Sequence, residues 1–364
     1  MSNMENYKSK AKPEALQSFW GGKPKPAASK ESVLTLALQD VEIGRIERIH
    51  ALRSMFGTSG PSTQALAALA QHITPVRITK GTQLAREGSL LGIVYLIIEG
   101  KIVASRNGLS WGEFAAPGSI GFLPALAGGM DGIDCVAVED TIALALRSED
   151  MLEVLEDHFD LLLGAMRGFA RSAIELRRQL PPAAGFSNEV RETTECPSRP
   201  LDLVERILYL RQTFALQRSF VAEIAELARA AQEARYMPGT KLWSVGDPAD
   251  HAVILLCGVV ECESADGALF RFGPGDIIGN LDTMASVPRW FNATTGEYVV
   301  ALVMHSEVMI DVLEDHPELA FDFLRMFSAS LVDLRERVHE RAQADGVKVS
   351  PSWAGPRPLP NATR

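Results

Sequence analysis

The chain lacks long apolar stretches and a surplus of basic residues. No run of eighteen apolar residues occurs, so the sequence predicts no membrane-spanning helix and no membrane partner. Residues 1–17 contain no apolar segment of the kind that a secretory signal requires. The formal net charge is −10, and this acidic balance argues against nucleic-acid binding, which needs a basic footprint.

The chain is also poor in cysteine, and its histidines are scattered. None of its four cysteines has Cys-x-x-Cys spacing: Cys135, Cys196, Cys257 and Cys262. This usage is typical of reduced, buried thiols, and we therefore expect a cytoplasmic protein. The seven histidines do not fall at metal-ligand spacing. The sequence shows no nucleophile, general base and metal ligands that would come together in one active site. It therefore predicts a protein that is not an enzyme.

The most informative feature that is present is an internal repeat with a constant offset of 158 residues. The matching segments extend from residue 46 to residue 177 in the first copy: Ile46-Glu47-Arg48-Ile49 with Val204-Glu205-Arg206-Ile207, Gly81-Thr82 with Gly239-Thr240, Gly100 with Gly258, Val154-Leu155-Glu156-Asp157-His158 with Val312-Leu313-Glu314-Asp315-His316, and Leu176-Arg177 with Leu334-Arg335. This period is far longer than a solenoid unit, so each copy is a whole domain.

Each copy changes its hydrophobic period twice. Helical spacing near residues 41–72 gives way to short apolar runs punctuated by glycine, and helical spacing returns at Ser148, which is placed to cap a helix. We predict an α+β fold of two jelly-roll-like antiparallel β-rolls, each flanked by N- and C-terminal helices. The predicted divisions are a flexible basic tail (1–40), copy 1 (41–180), a linker (181–200), copy 2 (201–343) and a disordered tail (344–364).

In copy 2, residues 275–293 have the pattern of a phosphate cradle. The strand-like Asp276-Ile277-Ile278 passes through Gly279 into Asn280–Ala285, which is long enough for one helical turn. Free N–H groups at such a turn favour an anion. Arg289 follows nine positions after Asn280, and its guanidinium is suited to a two-pronged grip on a phosphate.

These residues resemble the cyclic-nucleotide-binding β-roll domains. Such domains occur in catabolite-activator-type regulators and, in tandem, in regulatory subunits of cAMP-dependent protein kinase. The resemblance rests on the order and spacing of glycine motifs in both copies: Pro238-Gly239, Val245-Gly246-Asp247, Gly275 to Leu281 and Pro288-Arg289 in copy 2, and Lys80-Gly81, Glu87-Gly88 and Pro117 to Leu123 in copy 1.

The resemblance implies a ligand site in copy 2, with cAMP or cGMP as the ligand to consider. Its candidate residues are Ile278, Gly279, Asn280, Leu281, Arg289 and Trp290. Asn280 stands where the family has a ribose-binding Glu, and Trp290 and Phe291 replace small residues after the arginine, so self-filling of the pocket is an open alternative. In copy 1 those two ligand positions hold Phe122 and Asp131, which predicts no cyclic-nucleotide binding there.

The sequence thus supports two hypotheses. One is a non-enzymatic regulatory protein whose second domain binds a cyclic nucleotide and signals through protein contacts. The other is a structural or scaffold protein whose pockets are self-filled and bind no nucleotide. Both imply a protein partner of unknown identity. The resemblance also implies a homodimer through the C-terminal helices, whose apolar stripes (Leu161–Leu180 and Phe321–Val338) are alternatively core or inter-domain surface.

Overall fold

The computed structural model describes residues 39–40, 43–56, 60–86, 92–106, 109–126, 133–180, 195–213, 216, 219, 221–265 and 267–344. The predicted basic tail apart from residues 39–40, the predicted C-terminal tail apart from residue 344, and most of the linker lie outside these residues, as does Asp131. Residues 39–40 form a strand and residue 344 ends a helix, so the two predicted tails are each too long at the inner end. The predicted division into domains therefore remains a proposal.

Copy 1 begins and ends with helices around two sheets. Its elements in chain order are β1 (Gln39–Asp40), α1 (Arg45–Phe56), α2 (Thr63–His72), β2 (Ile73–Ile78), β3 (Gln83–Ala85), β4 (Ile93–Glu99), β5 (Lys101–Arg106), β6 (Leu109–Ala115), β7 (Gly118–Ile120), α3 (Phe122–Leu126), β8 (Asp134–Ala137), β9 (Thr141–Arg147), α4 (Ser148–Asp157) and α5 (Phe159–Arg178).

Copy 2 repeats this order. Its elements are α6 (Leu203–Gln212), α7 (Val221–Ala230), β10 (Gln232–Tyr236), β11 (Lys241–Trp243), β12 (His251–Cys257), β13 (Val260–Ser264), β14 (Leu269–Phe272), β15 (Ile277–Ile278), α8 (Asn280–Ala285), β16 (Phe291–Thr295), β17 (Val299–His305), α9 (Ser306–Asp315) and α10 (Pro317–Ala344).

The two rolls have the same strand order and register. One sheet of copy 1 has the order β1-β2-β9-β4-β7, and its counterpart in copy 2 is β10-β17-β12-β15. The other sheets are β3-β8-β5-β6 and β11-β16-β13-β14. Val94 pairs with Leu146, and the residues 158 positions later, Ala252 and Met304, pair in the same way. The predicted α+β fold of two antiparallel β-rolls flanked by helices is therefore confirmed.

The long helices α5 and α10 join the two copies. They pack against each other, and each also packs against the short helix of the opposite copy, α5 on α8 and α10 on α3. Arg171 donates through Nε to the carbonyl oxygen of Ala285 at 3.0 Å, and Ser328 donates through Oγ to that of Leu123 at 3.1 Å. The faces that the sequence suggested for dimerisation, with inter-domain contact as the alternative, are thus used within the chain.

The predicted capping role of Ser148 is wrong. Helix α4 begins at Ser148 itself, its N-cap residue is Arg147, and no side chain caps it. The matching residue Ser306 likewise begins α9, with His305 as N-cap. In both copies the last strand runs directly into the helix, so no loop residue intervenes to take the cap position.

The prediction of reduced thiols is wrong for Cys196 and Cys257, which form a disulfide with a Cα–Cα distance of 5.3 Å. The bond attaches the segment before α6 to the end of β12. Spacing along the chain gave no sign of it, because the partners are 61 residues apart. Cys135 and Cys262 are buried free thiols. The cytoplasmic location stays a prediction without support from these two cysteines.

None of the helices that the structure describes combines the length and hydropathy of a membrane span.

Candidate functional site

The predicted cradle turn in copy 2 forms as expected. Strand β15 ends at Ile278, Gly279 adopts the left-handed region with φ of 73°, and α8 covers Asn280–Ala285. Only glycine suits this position, for two reasons. A Cβ would collide with the Arg289 guanidinium, and other residues are strained at this positive φ. The turn therefore brings the backbone of the cassette directly against Arg289.

Arg289 points inward and is enclosed by acceptors. Its Nη1 donates to the carbonyl oxygen of Gly279 at 3.1 Å, to Asp282 Oδ2 at 3.3 Å and to Thr283 Oγ1 at 3.4 Å. Its Nη2 donates to the carbonyl oxygen of His251. The guanidinium also lies 4.1 Å from the centroid of the Trp243 ring, a cation–π contact.

The ion pair of Arg289 with Asp282 is removed from solvent. The side chains are 0% and 1% exposed, respectively. Burial lowers the pKa of Arg289 and raises the pKa of Asp282, while the attraction between the two groups opposes both shifts. Separating this pair would leave a buried charge without its partner, which is costly.

A cavity of about 110 Å³ lies beside the cassette, between α8 and the two long helices. Its polar lining includes Arg177, Asn280, Asp282 and Ser330, and its apolar lining comes from both copies: Ala173, Phe272, Ile277, Leu281, Trp290, Phe291, Met326, Phe327 and Leu334. Ala173 and Arg177 belong to α5, so copy 1 contributes one wall of the cavity in copy 2.

The structure divides the six predicted site residues into two groups. Four of them line the cavity: Gly279, Asn280, Leu281 and Trp290. Ile278 is fully buried in the roll interior, and Arg289 lies behind the cassette in its own ion pair. That any of the six binds a ligand remains a prediction.

The aromatic residues after Arg289 fill space inside the roll. Trp290 stacks on Phe270 with centroids 5.7 Å apart, and Phe291 meets Trp290 edge-on at 4.8 Å. Trp243 contacts Phe291 at 5.6 Å. This cluster fills the interior of the roll, and its member Trp243 contacts the Arg289 guanidinium.

At the equivalent positions of copy 1, aromatic residues pack together and an arginine from copy 2 lies against them. Phe122 packs edge-on against Phe169 with centroids 5.4 Å apart. Arg335 of α10 donates through Nε to the carbonyl oxygen of Trp111 at 2.9 Å. Its guanidinium lies 4.9 Å from the Trp111 ring and 5.2 Å from the Phe114 ring. Burial lowers the pKa of Arg335 to about 10.

The sequence interpretation missed three residues that shape these sites: Asp282, Arg177 and Arg335. The last two stand 158 positions apart within a matched Leu-Arg pair, so the repeat itself marked them as equivalent. Arg177 of copy 1 lines the cavity in copy 2, and Arg335 of copy 2 packs against copy 1. These positions depend on how the two copies pack together, which a local sequence pattern does not reveal.

Within the described residues, no group of three or more His, Cys, Asp and Glu side chains is placed to hold a metal ion.

Comparison with known proteins identifies the fold of copy 2. A model of the cyclic nucleotide-binding domain family matches residues 233–316. A CRP-like cAMP-activated global transcriptional regulator of Mycobacterium tuberculosis is 27% identical over 113 residues, which are 30% of this chain and 50% of that protein. The chain therefore spans about half the length of the curated relatives it matches.

Solved structures are similar at lower identity. A mutant regulatory subunit of a cAMP-independent protein kinase A from Trypanosoma brucei, bound to cAMP, is 16% identical, and the match covers 84% of this chain and 98% of that chain with a TM-score of 0.32. The N-terminal domain of a transcriptional regulator from Streptomyces coelicolor A3(2) is 24% identical, covering 39% and 98% with a TM-score of 0.29.

Residues 233–316 of copy 2 are thus similar to the cyclic nucleotide-binding domain family, and copy 1 repeats the strand order and register of copy 2.

Proposed function

We propose that this chain is a non-enzymatic regulatory protein that acts through protein contacts, and that neither copy holds a cyclic phosphate on an arginine. The observation that supports this proposal is the state of Arg289. Its side chain is 0% exposed, and its Nη1 and Nη2 donors face the Asp282 carboxylate, the Thr283 hydroxyl and two backbone carbonyls, whereas its buried Nε has no hydrogen-bond partner among the residues that the structure describes.

The energetic cost of freeing Arg289 favours this proposal. Breaking a buried ion pair by removing one partner costs about 3–5 kcal/mol. Since 1.4 kcal/mol is a factor of about ten in affinity, a phosphate would bind at least about a hundredfold more weakly than at an arginine already free. The Asp282 carboxylate, if left beside the phosphate, would weaken binding further by charge repulsion.

Copy 1 has Asp131 at the sequence position that matches Arg289. Phe122 stands at the position of Asn280, and Arg335 from α10 lies against Trp111 and Phe114. These contacts suit a domain kept for its packing with copy 2. The partner contacted by the whole chain is a protein in the cytoplasm or a second copy of this chain.

Cyclic-nucleotide sensing by copy 2 is the second candidate function. It is favoured by the family match and by the position of Arg289 directly beneath the Gly279 turn. This function requires a rearrangement in which Arg289 exchanges Asp282 for a phosphate and the cavity enlarges, because ligand pockets usually have volumes of about 300–1,000 Å³.

A thermal melt with cAMP and cGMP at millimolar concentration separates these functions. We expect no saturable shift with the wild-type chain. A ligand present at 100 times its Kd would stabilise the fold by about 2.7 kcal/mol, which a melt detects. A saturable shift that Arg289→Lys removes would contradict our proposal and establish the sensing function. Asp282→Asn is a useful second variant for the same melt. It removes the negative charge that pairs with Arg289 and keeps the length of the side chain at position 282.

A further inference from the structure

The chain enters copy 2 through residues 195–202, here called the entry segment, which end at the N-cap residue of α6. Cys196 of this segment is half-buried and is bonded to Cys257, the last residue of β12. Its sulfur also lies 3.5 Å from the carbonyl oxygen of Tyr298, which precedes β17. The disulfide therefore attaches the entry segment to the sheet that contains β12 and β17.

Hydrogen bonds to side chains of β10 also hold the entry segment. Arg235 donates through Nη1 to the carbonyl oxygen of Pro197 at 2.7 Å and through Nη2 to that of Arg199. The backbone N–H of Leu201 donates to Glu233 Oε2 at 2.8 Å. Hydrogen bonds exchange with water at a modest net cost, so a short segment held by them opens locally far more readily than one that is closed by a covalent bond.

The end of strand β12 is buried in copy 2, whereas the equivalent end of β4 is exposed in copy 1. Glu99 is exposed, and Ile98 is 36% exposed. Their counterparts 158 positions later, Cys257 and Leu256, are 1% and 2% exposed. Cys196 packs against the apolar cluster that contains both of these residues. The entry segment therefore helps to bury the end of β12, and release of the segment would uncover Cys257.

The accessible end of the disulfide is Cys196, which follows the exposed Glu195, whereas Cys257 lies beneath the entry segment. The other two cysteines are buried free thiols. Burial raises the pKa of the Cys135 thiol to about 12 and also raises the pKa of Cys262, so both thiols stay protonated at neutral pH. Since the thiolate is the reactive form, thiol chemistry is confined to the bonded pair.

We propose that the Cys196–Cys257 bond is a site of thiol–disulfide exchange, and that its reduction by a dithiol releases residues 195–199 from β12 while the roll stays folded. The site lies on the stretch of chain that leads from copy 1 into copy 2. It therefore gives the regulatory protein a redox input on the connection between its two copies. This inference goes beyond the proposed function and does not depend on it.

The exchange proceeds in two steps. A thiolate of the dithiol attacks the Cys196 sulfur, a mixed disulfide forms, and Cys257 leaves as a thiolate that takes up a proton. The second thiol of the reductant then attacks its own sulfur in the mixed disulfide, and Cys196 leaves and is protonated in turn. The protein disulfide gains two electrons and two protons, and the dithiol becomes a cyclic disulfide. Oxidised glutathione reverses the reaction and is itself reduced to two thiols.

The test is reduction of the folded full chain with millimolar dithiothreitol, followed by brief treatment with iodoacetamide and mass spectrometry of the peptides. We expect both Cys196 and Cys257 to be alkylated, at least about tenfold faster than Cys135 and Cys262, because release of the entry segment uncovers Cys257. Hydrogen exchange on the same samples is expected to show unchanged protection of β12 and β17. Oxidised glutathione should restore the bond.

Cys196→Ser is the variant that lacks the bond permanently. We expect Cys257 to be alkylated in it without any reductant, and dithiothreitol to cause no further change. Cys257→Ser is the second variant, in which Cys196 should be alkylated without reductant. Cys135→Ala removes a buried free thiol of copy 1 and is the matched control, which should respond to dithiothreitol as the wild-type chain does.

Four results would overturn the inference. The bond could resist dithiothreitol until a denaturant is added, or oxidised glutathione could fail to restore it after reduction. Cys257 could stay as unreactive as Cys262 once the bond is reduced, which would show that the entry segment keeps its place without the bond. Loss of protection across β12 on reduction would show that the bond supports the roll itself and does not control the entry segment alone.

Discussion

At the scale of single residues, Arg289 is a buried arginine paired with an aspartate seven positions earlier. The resemblance to the cyclic nucleotide-binding cassette predicts an arginine that binds phosphate at this position. A guanidinium offers donors in a fixed planar fork, and here carboxylate, hydroxyl and carbonyl oxygens surround it. Arg289 therefore stabilises the fold of copy 2.

This role predicts a large loss of stability on substitution. We expect Arg289→Ala to lower the free energy of unfolding by about 3–5 kcal/mol, because Asp282 is left buried without its partner. Urea denaturation measures this directly. Arg289→Ala combined with Asp282→Ala should cost less than the sum of the two single changes, since the buried charge is then gone. Additive costs would show that the pair is not coupled.

At the scale of secondary-structure elements, the repeat and the glycine spacing were enough to predict much of the fold. The prediction of a helical turn over Asn280–Ala285 agrees with α8, and the change of hydrophobic period placed the rolls between helices. Local sequence was insufficient where a contact depends on packing. The pairing of Arg289 with Asp282 required the left-handed Gly279, and the disulfide of Cys196 required the segment before α6 to lie on copy 2.

The long helix α10 provides a test at this scale. Arg335 donates to the carbonyl oxygen of Trp111 and lies against two aromatic rings of copy 1. A hydrogen bond from a charged group contributes about 1.5–3 kcal/mol, and a cation–π contact about 0.5–2 kcal/mol. We therefore expect Arg335→Ala to lower the free energy of unfolding by about 2–4 kcal/mol. Chemical denaturation measures this loss, and an unchanged free energy of unfolding would contradict the prediction.

At the scale of the whole molecule, the exchange of helix contacts makes the two copies one structural unit. The main apolar cluster contains residues of both copies, including Leu66 and Leu162 from copy 1 and Leu281 and Leu324 from copy 2. Domains of one chain usually meet across modest, polar interfaces and move relative to each other. A shared apolar core with reciprocal helices instead favours cooperative unfolding.

This architecture predicts that a defect in one copy destabilises the other. Leu66 is 1% exposed in α2, so Leu66→Ala should cost about 2–5 kcal/mol by loss of apolar contact and creation of a cavity. We expect hydrogen exchange under native conditions to show that strand β4 of copy 1 and strand β12 of copy 2 lose protection together and by similar amounts, because α5 and α10 transmit the loss between the rolls. Val308→Ala, at a site 38% exposed on α9, is the control that should change neither strand. If β4 alone loses protection in Leu66→Ala, the two copies unfold independently and the shared apolar core does not couple them.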